Sequence, residues 1–169
     1  MSEEGRDALS PISFEYEYSA YGGARACLSD GVTTHYMQPS YVPSDPLFGL
    51  VSAVNKVLTY GGEAECTWQY EPTADYWILQ REGDTLHLTV WGLHDGWLPA
   101  DWTSNRSGPS FSATCDLWKF AAKVRLAVSR LEPLDEQYHD PTWVQRTPEY
   151  RVLCTVLDEH KRAHRLQSS

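Results

Sequence analysis

Between Ala64 and Gly92 the chain carries three strand-like runs separated by two short turns, and this stretch constrains the fold more than any other. Ala64, Cys66, Trp68 and Tyr70 alternate with Glu65, Thr67, Gln69 and Glu71, the period of two that a strand shows when one face is buried and the other is wet. Glu71 to Asp75 breaks the pattern with turn-forming residues, and the run Tyr76 to Arg81 follows with apolar residues on both faces, as a central strand requires. Glu82-Gly83-Asp84 is a tight-turn sequence, after which Leu86, Leu88 and Val90 alternate with Thr85, His87 and Thr89. The spacing predicts an antiparallel meander.

The same period appears near the N-terminus, where Ile12, Phe14, Tyr16 and Tyr18 alternate with Ser13, Glu15, Glu17 and Ser19. Turns at Tyr21-Gly22-Gly23 and Ser29-Asp30-Gly31 predict two further short strands, Ala24–Ser29 and Val32–Met37. Pro39, Pro43 and Pro46 then end the strand. Ser44 or Asp45 can cap a helix with Pro46 in its first turn, and Leu47, Leu50, Val51, Val54, Val57 and Leu58 form its apolar stripe, so a helix is expected from Leu47 to Tyr60. Phe111, Ala113 and Cys115 mark one more strand. Asp116 caps a second helix with the stripe Leu117, Phe120, Ala121, Val124, Val128 and Leu131 and an exposed basic side of Lys119, Lys123, Arg125 and Arg130, stopped by Pro133. A third, shorter helix is predicted from Pro148 to about His164, with a basic end that complements the helix dipole.

With 169 residues, one α+β domain over 11–169 after a flexible N-terminus of ten residues is the economical reading. Its expected architecture is an antiparallel meander sheet of about six or seven strands with helices packed on one face. No apolar run approaches the ~20 residues of a membrane span, and the acidic start lacks the layout of a secretory signal, so a cytoplasmic protein without a membrane role is expected. Cys27, Cys66, Cys115 and Cys154 stand far apart, which favours buried reduced thiols over a disulfide or zinc site.

Charge is distributed unevenly. Residues 1–84 hold 13 acids and 4 bases, carrying the whole net charge of −9, while residues 85–169 hold 10 of each. A negative field repels phosphate backbones, which argues against nucleic acid and leaves a basic protein partner or plain solubility as its explanation. No Gly-rich phosphate loop and no G-x-S-x-G context is present, and neither a cofactor nor a metal is expected. His94-Asp95 and His139-Asp140 are adjacent His/acid pairs, and His35, His87 and His94 lie in or near strands, but spacing alone supplies neither catalytic nor metal-binding geometry. The connection Leu93–Pro109 is long and rich in tryptophan, so it either folds back over the sheet or meets a partner.

Taken together, the helix DPLFGLVSAVNKVLTYGG, the meander CTWQYEPTADYWILQREGDTLHLTVW and the helix CDLWKFAAKVRLAVSRL resemble small bacterial α+β proteins of unknown function and immunity type. The resemblance implies a protein that binds and neutralises a toxin, often a basic one. The candidate partner-binding residues are Glu15, Glu17, Glu65, Glu71, Asp95, Trp97 and Trp102, on a monomer or weak homodimer. The alternative is a small enzyme or ligand-binding domain with a pocket under Leu93–Pro109 that contains His94 and Asp95.

Overall fold

The computed structural model describes residues 9–19, 23–41, 44–70, 72–93, 108–133 and 140–167. Among them, β1 (Ser13–Ser19), β2 (Gly23–Ser29) and β3 (Thr34–Met37) form a three-stranded sheet, and β4 (Gly62–Gln69), β5 (Ala74–Glu82), β6 (Thr85–Leu93) and β7 (Phe111–Asp116) a four-stranded one. All pairings are antiparallel between sequence neighbours. Helices α1 (Pro46–Tyr60), α2 (Leu117–Ser129) and α3 (Pro148–Gln167) complete the fold, with a 3-10 turn, Pro141–Arg146, leading into the last. The α+β class with antiparallel meanders and helices is therefore observed, its seven strands divided between two sheets.

Register follows the alternation of the sequence. Ala64, Leu79, Leu88 and Ala113 stand in one cross-strand row, Cys66, Trp77, Val90 and Phe111 in the next, and each row lies on the core side. Gly83, at φ 60°, takes the left-handed conformation that joins β5 to β6. The inner face of the three-stranded sheet, the stripes of α1 and α2, and Leu153 and Leu157 of α3 complete the same core. Phe14 sits where these layers meet, its ring 6.2 Å from Trp68, 6.4 Å from Trp77 and 6.3 Å from Phe120. On the outer side, Ala74, Tyr76 and Leu93 form a second, small cluster, which explains why β5 is apolar on both faces.

Three expectations are corrected. Val32 belongs to a turn and is 94% exposed, because Asp30 Oδ1 accepts from the N–H groups of Val32 (2.9 Å) and Thr33 (2.6 Å) and holds both out of β3. The third helix starts at Pro148 as expected but is not shorter than the other two: α3 runs 20 residues, three past His164, and beyond Leu157 it is supported by good helix formers and by the stacking of His160 on Trp118 at 3.6 Å. Arg125 does not simply face solvent, since its Nη1 lies 2.6 Å from Asp158 Oδ1 and ties α2 to α3.

One acidic residue organises the N-terminal half. Asp45 caps α1 by accepting from the N–H groups of Leu47 (2.9 Å) and Phe48 (3.1 Å), while its Oδ2 accepts from Tyr18 OH (2.7 Å) and Trp143 Nε1 (3.1 Å). Burial, then Tyr16 and the Asp45 carboxylate, hold the Tyr18 hydroxyl far above its ordinary pKa, so it stays a donor. One carboxylate thus joins β1, α1 and the 3-10 turn.

Candidate functional site

Strand β1 exposes what its alternation leaves over once Phe14 and Tyr16 are buried. Glu15 and Glu17 project outward, facing Cys27 and Arg25 across the β1–β2 pair. Tyr36 follows on β3, opposite Cys27, and is 78% exposed. The C-terminal half of α2 passes beside β1 and raises a wall of Leu126, Ala127 and Arg130. Strand face and helix wall enclose a groove of about 600 Å³.

The groove mixes the carboxylates of Glu15 and Glu17, the guanidinium groups of Arg25 and Arg130, and large apolar side chains. Burial, with the Glu15 charge beside it, pushes the Cys27 thiol above its ordinary pKa, so it lacks the thiolate character of a nucleophile.

Glu15 and Glu17 are thus brought together. Glu65 stands apart, on the outer face of the four-stranded sheet, where it accepts the hydroxyl proton of Tyr76. Glu71, His94, Asp95, Trp97, Trp102 and His139 lie outside the described residues, as does most of the connection Leu93–Pro109. Arg25, Tyr36, Leu126 and Arg130 were not singled out for binding by sequence reasoning. Tyr36 and Leu126 do carry a faint signal, each a large apolar residue out of phase with its own buried stripe.

Among the described residues, His35 and His87 serve separate structural roles. His35 Nε2 lies 2.9 Å from Asp75 Oδ2, which also accepts from Tyr70 OH at 2.5 Å, so this carboxylate links the two sheets. His87 faces the opposite side of the four-stranded sheet, with Nδ1 3.1 Å from Thr114 Oγ1. His35 and His87 therefore share no site, and among the described residues no three His, Cys, Asp or Glu side chains converge to hold a metal. The four cysteines are free, and burial pushes the Cys115 thiol up to about 12.

Asp140 caps the 3-10 turn, accepting from Thr142 N–H (2.9 Å), Thr142 Oγ1 (2.6 Å) and Arg146 Nη2 (2.7 Å). The Thr142 hydroxyl above all, with Arg146, holds its carboxyl down at about 2 against an ordinary 3.8. A depressed carboxyl stabilises the fold above its unfolded pKa and ceases to do so as pH falls through the folded one. Asp140 thus contributes in full above roughly pH 4, and its contribution disappears toward pH 2. Urea unfolding from pH 5 to 2 is expected to show this acid loss, with a smaller pH slope in Asp140→Asn.

No helix among the described residues is long and apolar enough to cross a membrane. No family model matches the chain, and no curated protein matches it. Among solved structures, a chain of the CdiA-CT/CdiI toxin and immunity complex from Enterobacter cloacae is similar at 10% identity and a TM-score of 0.47, over 70% of this chain and 99% of that chain.

Proposed function

We propose that the protein is a non-enzymatic binding protein whose partner is a basic protein seated in the groove between the outer face of β1–β3 and the C-terminal half of α2. The observation that carries this reading is the convergence there of Glu15 and Glu17 with the exposed Tyr36 and Leu126. An aromatic and an aliphatic anchor supply contact area, while the carboxylates select a basic surface and speed its approach. In its specific form, the protein is an immunity protein and the partner a toxin that it neutralises, acting as a cytoplasmic monomer.

Capture from a lysate of the source organism at low and moderate salt tests the reading, with wild-type protein and Glu15→Lys/Glu17→Lys as parallel baits. The expected result is one stoichiometric basic protein on the wild-type bait, weakened by salt and missing from the variant. Equal recovery on both baits would remove the groove from the account.

A further inference from the structure

The groove lies against the C-terminal half of α2, and a different cluster stands at the other end of that helix. Trp118, in the first turn of α2, donates its Nε1–H to Asp84 Oδ1 in the β5–β6 turn at 2.8 Å, which fixes the indole plane. His160 of α3 lies flat on that indole, with centroids 3.6 Å apart and planes 7° from parallel. His164 follows one turn later, its ring centroid 4.3 Å from that of His160 and its plane at 65°. Two imidazoles are thus gathered on one face of α3, and the inner one is held in place by a neighbouring element.

Histidines four residues apart on a helix project from the same side, the spacing at which both can bind a single ion. Lys161 and Arg162, which stand between them in sequence, fall roughly 100° and 200° around the helix from His160 and point elsewhere. Arg81, 5.9 Å from the Trp118 centroid, is committed to the carbonyls of Val57 and Leu58 at the end of α1. Burial, then the His164 ring, hold the His160 pKa below its ordinary value and leave the imidazole neutral, while Asp84 and Asp116 supply negative charge nearby. Neutral imidazole is a good ligand for zinc, nickel and copper ions. With metal–nitrogen bonds of about 2.0–2.1 Å, two rings sharing an ion stand about 5 Å apart, centroid to centroid. The observed 4.3 Å is a small side-chain rotation from that arrangement. Because Trp118 already orients His160, little side-chain order has to be imposed on binding.

We propose that His160 and His164 form a binding site for one divalent transition-metal ion of the zinc, nickel and copper class, with water completing its coordination. Among the described residues no third His, Cys, Asp or Glu side chain joins the pair, and His164 is exposed, so the ion is held at the surface and exchanges with solvent. Its effect is local. It ties together two turns of α3 beyond Leu157, the last buried residue of that helix, and through His160 it secures them to Trp118.

The test titrates untagged full-length protein, freed of metal by a chelator, with Ni²⁺ and Zn²⁺, and with Mg²⁺ as a hard cation that two imidazoles do not hold. Calorimetry gives stoichiometry and affinity, and paramagnetic broadening of amide NMR signals by Ni²⁺ gives the location. His164→Gln removes one ligand at an exposed position. Arg162→His/His164→Gln keeps all six histidines of the chain but sets the second ring two residues from the first, on the other side of the helix. One Ni²⁺ per wild-type chain is expected, bound at least tenfold more weakly by both variants, with broadening centred on the end of α3 and on Trp118. Equal affinity in wild type and the displaced variant, broadening centred on other histidines, or no binding of Ni²⁺ overturns the site. The cluster shares no residue with the groove, so its failure leaves the reading of the groove intact.

Discussion

Asp45→Ala is expected to destabilise the fold by about 3–5 kcal/mol, since loss of the α1 cap costs about 1 kcal/mol and each of two half-buried donors left unsatisfied costs about 1–2 kcal/mol, the lower part of the range for buried groups. The donors are Tyr18 OH and Trp143 Nε1, both bonded to Asp45 Oδ2. Their elements, β1 and the 3-10 turn before α3, are fixed to the start of α1 through this carboxylate. Asp45 is only 7% exposed, so water does not readily replace it. Set against a total stability of about 5–15 kcal/mol, such a loss is large, and for a chain of this size it lowers Tm by roughly 10 °C. Asp45→Asn keeps an oxygen for the cap but turns its amide nitrogen toward both side-chain donors, of which only the Tyr18 hydroxyl can rotate to accept, and should fall between wild type and alanine. Urea denaturation measures both, with the slope unchanged and the midpoint lowered. A cost below about 1 kcal/mol for Asp45→Ala would mean that the cap acts alone.

Asp45 also shows where sequence reasoning stops. Its place before Pro46 and an apolar helical stripe marks it, together with Ser44, as a possible N-cap, because capping is local. Its bond to Trp143 spans 98 residues and depends on how the chain returns to α1. No spacing rule contains that information. The meander Ala64–Gly92 was legible for the opposite reason: strict alternation, a glycine turn at Gly83 and an apolar central strand each specify the same pairing. In α3 the buried stripe stops at Leu157 although the helix runs on to Gln167, and there the start at Pro148 and the basic end were legible while the last three residues were not.

The candidate site was half legible. Glu15 and Glu17 are visible as the wet side of an amphipathic strand, and so is Glu65, by the same alternation. Nothing in that pattern tells which wet faces share a surface. The β1–β2–β3 register brings Glu15 and Glu17 beside Arg25 and Tyr36, and the path of α2 adds Leu126 and Arg130, whereas Glu65 belongs to the other sheet. Convergence of this kind is tertiary, and a residue list read along the chain does not contain it.

Reversing both groove carboxylates should have the second large effect. Glu15→Lys/Glu17→Lys replaces two attractions toward a basic partner with two repulsions, and truncated or reversed charge pairs at desolvated interfaces cost about 2–5 kcal/mol, a loss of roughly 10²-fold or more in affinity. Stability should change little by comparison. The lysine that replaces Glu17 would face Arg25, a like-charge cross-strand pair that costs up to about 1 kcal/mol, so Glu17→Gln provides a milder companion. Glu63→Lys is the control: it makes half of that charge change on an exposed position of the four-stranded sheet, away from the groove.

The most direct test is the dissociation constant of the captured partner for wild type, Glu15→Lys/Glu17→Lys and Glu63→Lys at one fixed ionic strength. The groove account predicts a loss of about 10²-fold for the double variant and a change within about threefold for the control. A loss in the control of about half the double variant's on a logarithmic scale, roughly tenfold against 10²-fold, would assign binding to net charge alone, and an unchanged double variant would place the partner elsewhere on the molecule; either result contradicts the groove.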